Sequence, residues 1–146
     1  MKKRMLFVDD EPLVLQDIQR SLRSMREEWD MDFADGGDKA MACLGQDSYD
    51  VVLADVMMPG MDGFEVLGQM KGDAALRDIP VVMISALDET NSVARCIRMG
   101  AEDYLMKPFD PVLLNARIEA SIEKKRPVAY AGKSGVAGDA DGGDCA

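Results

Sequence analysis

Acidic residues, one hydroxyl group and one lysine each stand just after, or at the end of, a short apolar run in this chain. The residues in this position are Asp9, Asp10, Asp55, Ser85 and Lys107. Short runs that are rich in β-branched and aliphatic side chains predict buried parallel strands. Because the carboxyl ends of parallel strands meet at one edge of a sheet, we expect these side chains to converge there. Carboxylates, a hydroxyl and an ammonium group on one edge suit divalent-metal and phosphoryl chemistry.

Strand patterns and helix patterns alternate along the chain in units of roughly 20–30 residues, which predicts a series of βα units. The predicted strands are about 4–8, 29–33, 51–54, 81–84 and 103–106, and the predicted helices begin at Pro12 and near 40, 64, 89 and 111. Five βα units with right-handed crossovers predict an α/β fold, a doubly wound parallel sheet between two layers of helices.

Apolar periodicity assigns a buried face to several of these elements. In the first helix, apolar residues at helical spacing continue to Met25. Trp29, Met31 and Phe33 alternate with acidic residues, the pattern of a half-buried edge strand. On the last helix, the predicted buried face consists of Leu113, Leu114, Ile118 and Ile122.

The composition excludes several classes of function. The formal net charge is -10, so nucleic acid and anionic membranes are poor partners, and no apolar stretch is long enough to be a signal peptide or a membrane span. We therefore expect a cytoplasmic protein. Without histidine, and with three widely spaced cysteines, a zinc site and a histidine-based triad are not expected.

The length and the end of the sequence predict one domain and a tail. A chain of 146 residues has room for one domain. From Pro127 onward, glycine and alanine dominate and large apolar residues are few. We predict that 1–126 form the domain and that 127–146 are a flexible Gly/Ala-rich tail or a truncated linker.

Four segments of the sequence carry a resemblance to one known family. The segments are Val8-Asp9-Asp10-Glu11-Pro12, Asp55-Val56-Met57-Met58-Pro59-Gly60-Met61-Asp62-Gly63, Ser85-Ala86 and Lys107-Pro108-Phe109. In this order they make the chain resemble the receiver domains of bacterial two-component response regulators, over about 3–125. The resemblance implies a flavodoxin-like three-layer sandwich with five parallel strands in the order 2-1-3-4-5.

The resemblance also implies a phosphoryl-accepting site. Asp55 would be the nucleophile, phosphorylated by a histidine kinase or a histidine phosphotransfer protein. The implied Mg²⁺ ligands are Asp9, Asp10, Asp55 and the backbone carbonyl of Met57. Such a domain promotes its own phosphorylation and dephosphorylation but is not a classical enzyme.

Other side chains take their expected roles from the same resemblance. Lys107 would pair with Asp55, and the Ser85 hydroxyl would bind a phosphoryl oxygen. Ser85 and Tyr104 would together form a switch that alters the face of the fourth helix, fifth strand and fifth helix, a possible homodimer interface. Met57 and Leu87 would flank the site, and because both are apolar we expect slow self-dephosphorylation. A cis bond at Lys107-Pro108 is a further hypothesis from the resemblance.

Two other classes of function stay open at this stage. One is a Mg²⁺-dependent phosphohydrolase with an aspartyl nucleophile, although such enzymes usually carry the nucleophile on the first strand in a D-x-D pattern and have a cap segment. The other is a receiver that docks proteins without being phosphorylated. The intact set of acidic, hydroxyl and lysine residues argues against this second class.

Overall fold

The computed structural model describes residues 2–86 and 90–125, which form alternating strands and helices. The strands are β1 (Lys3–Val8), β2 (Trp29–Ala34), β3 (Val51–Asp55), β4 (Val81–Ser85) and β5 (Asp103–Met106). The helices are α1 (Pro12–Ser21), α2 (Gly37–Gln46), α3 (Gly63–Lys71), α4 (Thr90–Arg98) and α5 (Pro111–Lys125), with a 3₁₀ turn at Arg23–Met25. Leu87 and the predicted tail at 127–146 lie outside the described residues.

The five strands form one sheet in the order β2-β1-β3-β4-β5, and every pair is parallel. The predicted strand order is therefore confirmed. β2 lies at one edge, as the alternation of Trp29, Met31 and Phe33 predicted. The chain reverses its direction of winding after β2, so β1 and β3 lie side by side and the loops that follow them leave in opposite directions.

Helices cover both faces of the sheet, which confirms the three-layer sandwich. On one face, Leu6, Val52 and Met83 pack with side chains of α2, α3 and α4, among them Leu44, Leu67 and Cys96. On the other face, Phe7, Leu53 and Ile84 pack with Ile18, Leu22, Leu114 and Ile118 from the α1 and α5 side. Successive strand residues supply opposite faces because side chains alternate along a strand. Among the described residues, no helix is both long and apolar enough to span a lipid bilayer.

Two details of the helices differ from the sequence-based predictions. α1 ends at Ser21, and the predicted continuation to Met25 is instead a 3₁₀ turn in which the Met25 amide donates to the Leu22 carbonyl at 2.9 Å. A spacing of three residues fits a 3₁₀ turn as well as a helix, so the pattern could not separate the two. Leu113 is 41% exposed rather than buried. It lies one residue, about 100° of rotation, away from the stripe that starts at Leu114.

Candidate functional site

The residues singled out by the sequence lie at the carboxyl ends of neighbouring strands. Asp9 and Asp10 directly follow β1, Asp55 ends β3, and Ser85 ends β4. Lys107 follows β5, the next strand in the sheet. The all-parallel sheet therefore places these five residues along one edge, as the sequence predicted.

Three carboxylates at this edge form a compact acidic cluster. One carboxylate oxygen from each of Asp9, Asp10 and Asp55 lies within 4.8 Å of the others. Asp9 and Asp55 are buried, with relative exposures of 3% and 5%, and Asp10 is half-buried. Hard divalent cations such as Mg²⁺ take oxygen ligands of this kind and tolerate a partly open site that keeps water or phosphate oxygens. The donor set of this cluster therefore fits a Mg²⁺ ion.

Lys107 contacts both buried carboxylates of the cluster. Its Nζ donates to Asp9 Oδ2 at 2.7 Å and lies 3.3 Å from Asp55 Oδ2. The expected pairing with Asp55 is thus present as an ion pair, while the shorter contact is with Asp9. Burial acts to lower the pKa of Lys107, but the hydrogen bond to Asp9 and the charges of Asp55 and Asp9 outweigh it, and the pKa is raised overall. Lys107 is therefore a permanent cation at neutral pH.

The surroundings of the Asp55 carboxyl group raise its pKa. Burial and the negative charge of Asp9 raise its pKa from 3.8 to about 6. The charge and hydrogen bond of Lys107, and a hydrogen bond from the Met57 backbone amide, act in the opposite direction. Without a further cation, Asp55 is thus partly protonated near pH 6, and added positive charge at the site favours its nucleophilic, ionised form.

The loop after β3 holds the backbone of Asp55 in place. A Cβ atom at Gly63 would lie 2.2 Å from the Asp55 carbonyl oxygen, so only glycine allows α3 to begin so close to β3. The Gly63 amide donates to the Val56 carbonyl at 2.9 Å. Asp62 caps α3 by accepting from the Glu65 amide at 2.9 Å, and the Glu65 side chain accepts from the Asp62 amide. The chain direction after Asp55 is therefore fixed by a close backbone contact and a capping box.

The two predicted switch residues lie on β4 and β5, next to Lys107. Ser85 is completely buried, and its backbone carbonyl accepts a hydrogen bond from the Lys107 amide at 2.8 Å. Tyr104 is half-buried and packs against the core cluster that contains α2, α3 and α4. The Lys107-Pro108 peptide bond is cis, as hypothesised. Met57 is 61% exposed, on the surface beside Asp55.

Sequence reasoning missed two features of this site. The contact between Lys107 and Asp9 depends on the side-chain path across two intervening strands, for which the sequence has no signal. The requirement for Gly63 was also missed, although the D-x-x-E spacing of Asp62 and Glu65 is a readable helix start that places this glycine at the first helical position.

Comparison with known proteins identifies the family. The profile of the response regulator receiver domain matches residues 5–119. The chain belongs to this family. Receiver domains of two-component response regulators bind Mg²⁺ at an acidic pocket, and Asp9, Asp10 and Asp55 form an acidic cluster of that kind.

Individual relatives agree with this assignment. The chain is 40% identical over 120 residues to the response regulator PleD of Caulobacter vibrioides and 35% identical over 124 residues to the DNA-binding response regulator MtrA of Mycolicibacterium smegmatis. These alignments cover 82% and 85% of the chain but only 26% and 52% of the relatives, so the chain spans part of the length of each.

Solved structures show the same architecture. The receiver domain of the Francisella response regulator 1452 superposes with a TM-score of 0.78 at 28% identity, covering 86% of this chain and 100% of that one. The chemotaxis protein CheY4 of Vibrio cholerae superposes with a TM-score of 0.77 at 25% identity, covering 83% and 99%.

Proposed function

We propose that this receiver domain is a phosphoacceptor that takes a phosphoryl group onto Asp55 in a Mg²⁺-dependent transfer from a histidine kinase or a histidine phosphotransfer protein. The observation that carries the proposal is the acidic cluster with Lys107 against it at neighbouring strand ends. Response regulators in general have histidine kinases as partners, which supports the choice of donor.

The chemistry assigns a role to each side chain of the site. A carboxylate oxygen of Asp55 attacks the phosphorus, the bond from phosphorus to the donor nitrogen breaks, and the donor keeps that electron pair. The product is an acyl phosphate on Asp55. Lys107 then compensates charge on the phosphoryl group, and the Ser85 hydroxyl donates to one of its oxygens.

A bound Mg²⁺ ion would supply charge neutralisation for the carboxylates and the phosphoryl oxygens. Its proposed ligands are Asp9, Asp10, Asp55 and the backbone carbonyl of Met57. The spacing of the three carboxylate oxygens supports the first three ligands.

Signal output would follow a two-state change around Ser85 and Tyr104. When Ser85 moves toward the phosphoryl group, Tyr104 would turn further into the core cluster on which it already packs. The face of α4, β5 and α5 would change with it and could pair with a second copy. Arg117 on α5 already bridges to Asp103 on β5 at 3.1 Å, so a change on β5 has a direct contact through which to reach α5.

Docking of the phosphodonor is supported by exposed apolar side chains near the acidic cluster. Leu13 is 72% exposed in the first turn of α1, and Val112 is 78% exposed in the first turn of α5. Both helices begin at the sheet edge that carries Asp55. We propose that these side chains contact the donor protein, with no direct role for nucleic acid or membrane, and that the domain works in the cytoplasm.

The lifetime of the acyl phosphate is a separate proposal. Met57 and Leu87 carry no group that can orient an attacking water, so we propose slow self-dephosphorylation. Installing a polar side chain, as in Met57→Asn and Leu87→Glu, should speed the loss of phosphate. Fast hydrolysis in the parent chain that both changes leave unaltered would contradict this.

The proposal as a whole is tested by intact-mass measurement after incubation with Mg²⁺ and acetyl phosphate. We expect the gain of one labile phosphoryl group, and no gain in Asp55→Asn or without Mg²⁺. No gain despite demonstrated Mg²⁺ binding would favour a docking receiver that is not phosphorylated. Sustained turnover of simple phosphate esters would favour a phosphohydrolase.

A further inference from the structure

A second polar surface lies away from the acidic cluster, between the end of α1 and the outer side of β2. It is a groove of about 570 Å³, within the size range of common ligand sites. We call it the β2 groove, and its lining includes Arg20, Arg23, Arg26, Trp29, Met31 and Phe33. None of these residues belongs to the site proposed for phosphorylation.

Three guanidinium groups give the β2 groove a local positive charge in a chain of net charge -10. Arg20, Arg23 and Arg26 are spaced by three residues. Arg23 begins the 3₁₀ turn and Arg26 directly follows it, so the turn keeps these two on one side. Arg20 pairs with Asp17 at 3.2 Å. In the part of the chain that the structure describes, Arg23 and Arg26 have no acidic partner within ion-pair distance.

One carboxylate, that of Asp30, also lines the β2 groove. Asp30 lies 3.6 Å from the Lys2 ammonium group, in an exposed pair. The groove therefore presents more positive than negative charge to solvent, and two of its guanidinium groups are free to bind carboxylates.

The β2 groove opens onto an edge of the sheet at which no other strand of residues 2–86 and 90–125 pairs with β2. The Lys3 amide donates to the Glu28 carbonyl and the Asp9 amide to the Ala34 carbonyl, so the even-numbered residues of β2 turn their backbone groups toward β1. In a parallel pair, the direction of the backbone N–H and C=O groups alternates from one residue to the next. The backbone groups of Trp29, Met31 and Phe33 therefore point away from β1, toward the open edge. The residues whose side chains line the groove are thus also those whose backbone groups are available for pairing.

We propose that the β2 groove binds an extended acidic segment of a partner protein, which adds to the sheet as a strand beside β2. Its backbone would pair with Met31 and Phe33, the general mode of strand addition to an exposed edge. Because alternate side chains of a strand share one face, carboxylates at every second position would all lie on one face of the added strand, from which the nearest ones could pair with Arg23 and Arg26. A second copy of this chain fits poorly, since a symmetric pair would bring the same arginines together. This inference does not rest on phosphorylation of Asp55.

The direct test is titration of the full 146-residue chain with a short, end-blocked peptide that alternates glutamate and valine. We expect saturable binding that weakens with salt, together with slower hydrogen exchange at the Met31 and Phe33 amides. The double change Arg23→Gln/Arg26→Gln should weaken binding at least about tenfold. The matched change Arg77→Gln/Arg98→Gln, at exposed arginines outside the groove, should leave it unaltered.

A backbone variant separates strand addition from simple charge attraction. Met31→Pro removes an amide that points outward while leaving the pairing with β1 intact, so it should abolish binding in a chain whose circular dichroism is unchanged. If Met31→Pro does not fold, the proposal is judged on the effect of Arg23→Gln/Arg26→Gln on peptide binding. Equal binding of a lysine–valine peptide, no binding at all, or no effect of the arginine changes would overturn the proposal.

Two other occupants would also overturn the proposal, and each has its own signature. If the chain's own tail filled the groove, Asp139→Asn/Asp141→Asn/Asp144→Asn would tighten peptide binding and speed exchange at the Met31 amide. If a second copy filled it, sedimentation without peptide would show a dimer that Arg23→Gln/Arg26→Gln dissociates. We expect neither result.

Discussion

In the part of the chain that the structure describes, Lys107 is the one cation paired with the two buried carboxylates, Asp9 and Asp55. Its Nζ lies 2.7 Å from Asp9 Oδ2 and 3.3 Å from Asp55 Oδ2, and all three side chains are largely buried. The carboxylates of Asp9 and Asp55 have oxygens within 4.8 Å of each other, and like charges at that distance repel strongly in a site of reduced dielectric constant. Lys107 therefore stabilises the fold by neutralising these carboxylates before phosphorylation, and its proposed catalytic role is to compensate charge on the phosphoryl group.

Replacing this lysine tests its structural task. Lys107→Met leaves Asp9 and Asp55 without a buried counter-charge, so the metal-free free energy of unfolding at pH 7 should fall by about 3 kcal/mol in urea titrations. The control Arg117→Gln breaks an exposed pair with Asp103 and should cost less than about 1 kcal/mol. Equal losses in the two variants would contradict the assigned role.

The raised pKa of Asp55 makes the stability of the metal-free protein depend on pH. Because its pKa is about 6 in the folded chain and 3.8 ordinarily, folding favours the protonated carboxyl. This contribution is complete below about pH 4 and is lost as the pH rises through about 6. At pH 7.5, Asp55→Asn should be more stable than the parent by about 3 kcal/mol without Mg²⁺, with the difference vanishing near pH 4. A difference in stability between Asp55→Asn and the parent that does not change with pH would contradict the raised pKa of Asp55.

At the scale of elements, the loop between β3 and α3 determines the position of Asp55. The capping box of Asp62 and Glu65 starts α3, and the close approach of Gly63 to the Asp55 carbonyl sets its distance from the strand. Gly60, at φ 75°, makes the turn that precedes them. The loop is thus held by these backbone contacts together with Val56 and Met58, whose side chains are buried in the core.

A pair of glycine substitutions tests whether this loop needs the close backbone contact at Gly63. Gly63→Ala places a Cβ 2.2 Å from a backbone oxygen that cannot yield, so we expect a loss of about 3 kcal/mol in the free energy of unfolding and slower phosphorylation by acetyl phosphate. Gly45→Ala has nothing within 4 Å in helix α2 and should change stability by less than about 1 kcal/mol, in the stabilising direction. A harmless Gly63→Ala would show that the contact is not needed.

At the scale of the whole molecule, local sequence patterns were sufficient to predict the five strands and the five α-helices, although not the 3₁₀ turn at Arg23–Met25. Buried strands appear as apolar runs, and the edge position of β2 appears as the alternation of Trp29, Met31 and Phe33. The strand order was taken from the family resemblance, because right-handed crossovers leave several orders open. Two side-chain details could not be predicted. The exposure of Leu113 depends on how α5 is rotated, and the Lys107 to Asp9 contact spans 98 residues of sequence.

The domain limits are a proposal at this same scale. If 1–126 form the folding unit, a chain ending at Arg126 should keep the urea midpoint of the full chain and its rate of phosphorylation by acetyl phosphate. The control is a chain ending at Arg117, which removes the buried Ile118 and Ile122 from α5 and should unfold. A lowered midpoint on removal of 127–146 would show that these residues contribute to the fold.

The identity of the phosphorylated residue tests the proposed function most directly. After treatment with acetyl phosphate and Mg²⁺, borohydride reduces an acyl phosphate to the alcohol, so a phosphorylated aspartate becomes homoserine and is located by peptide mass spectrometry. We predict homoserine at position 55 alone, and none when Mg²⁺ is omitted. Homoserine at position 9 or 10, or a phosphoryl group that resists borohydride, would contradict the assignment of Asp55 as the nucleophile.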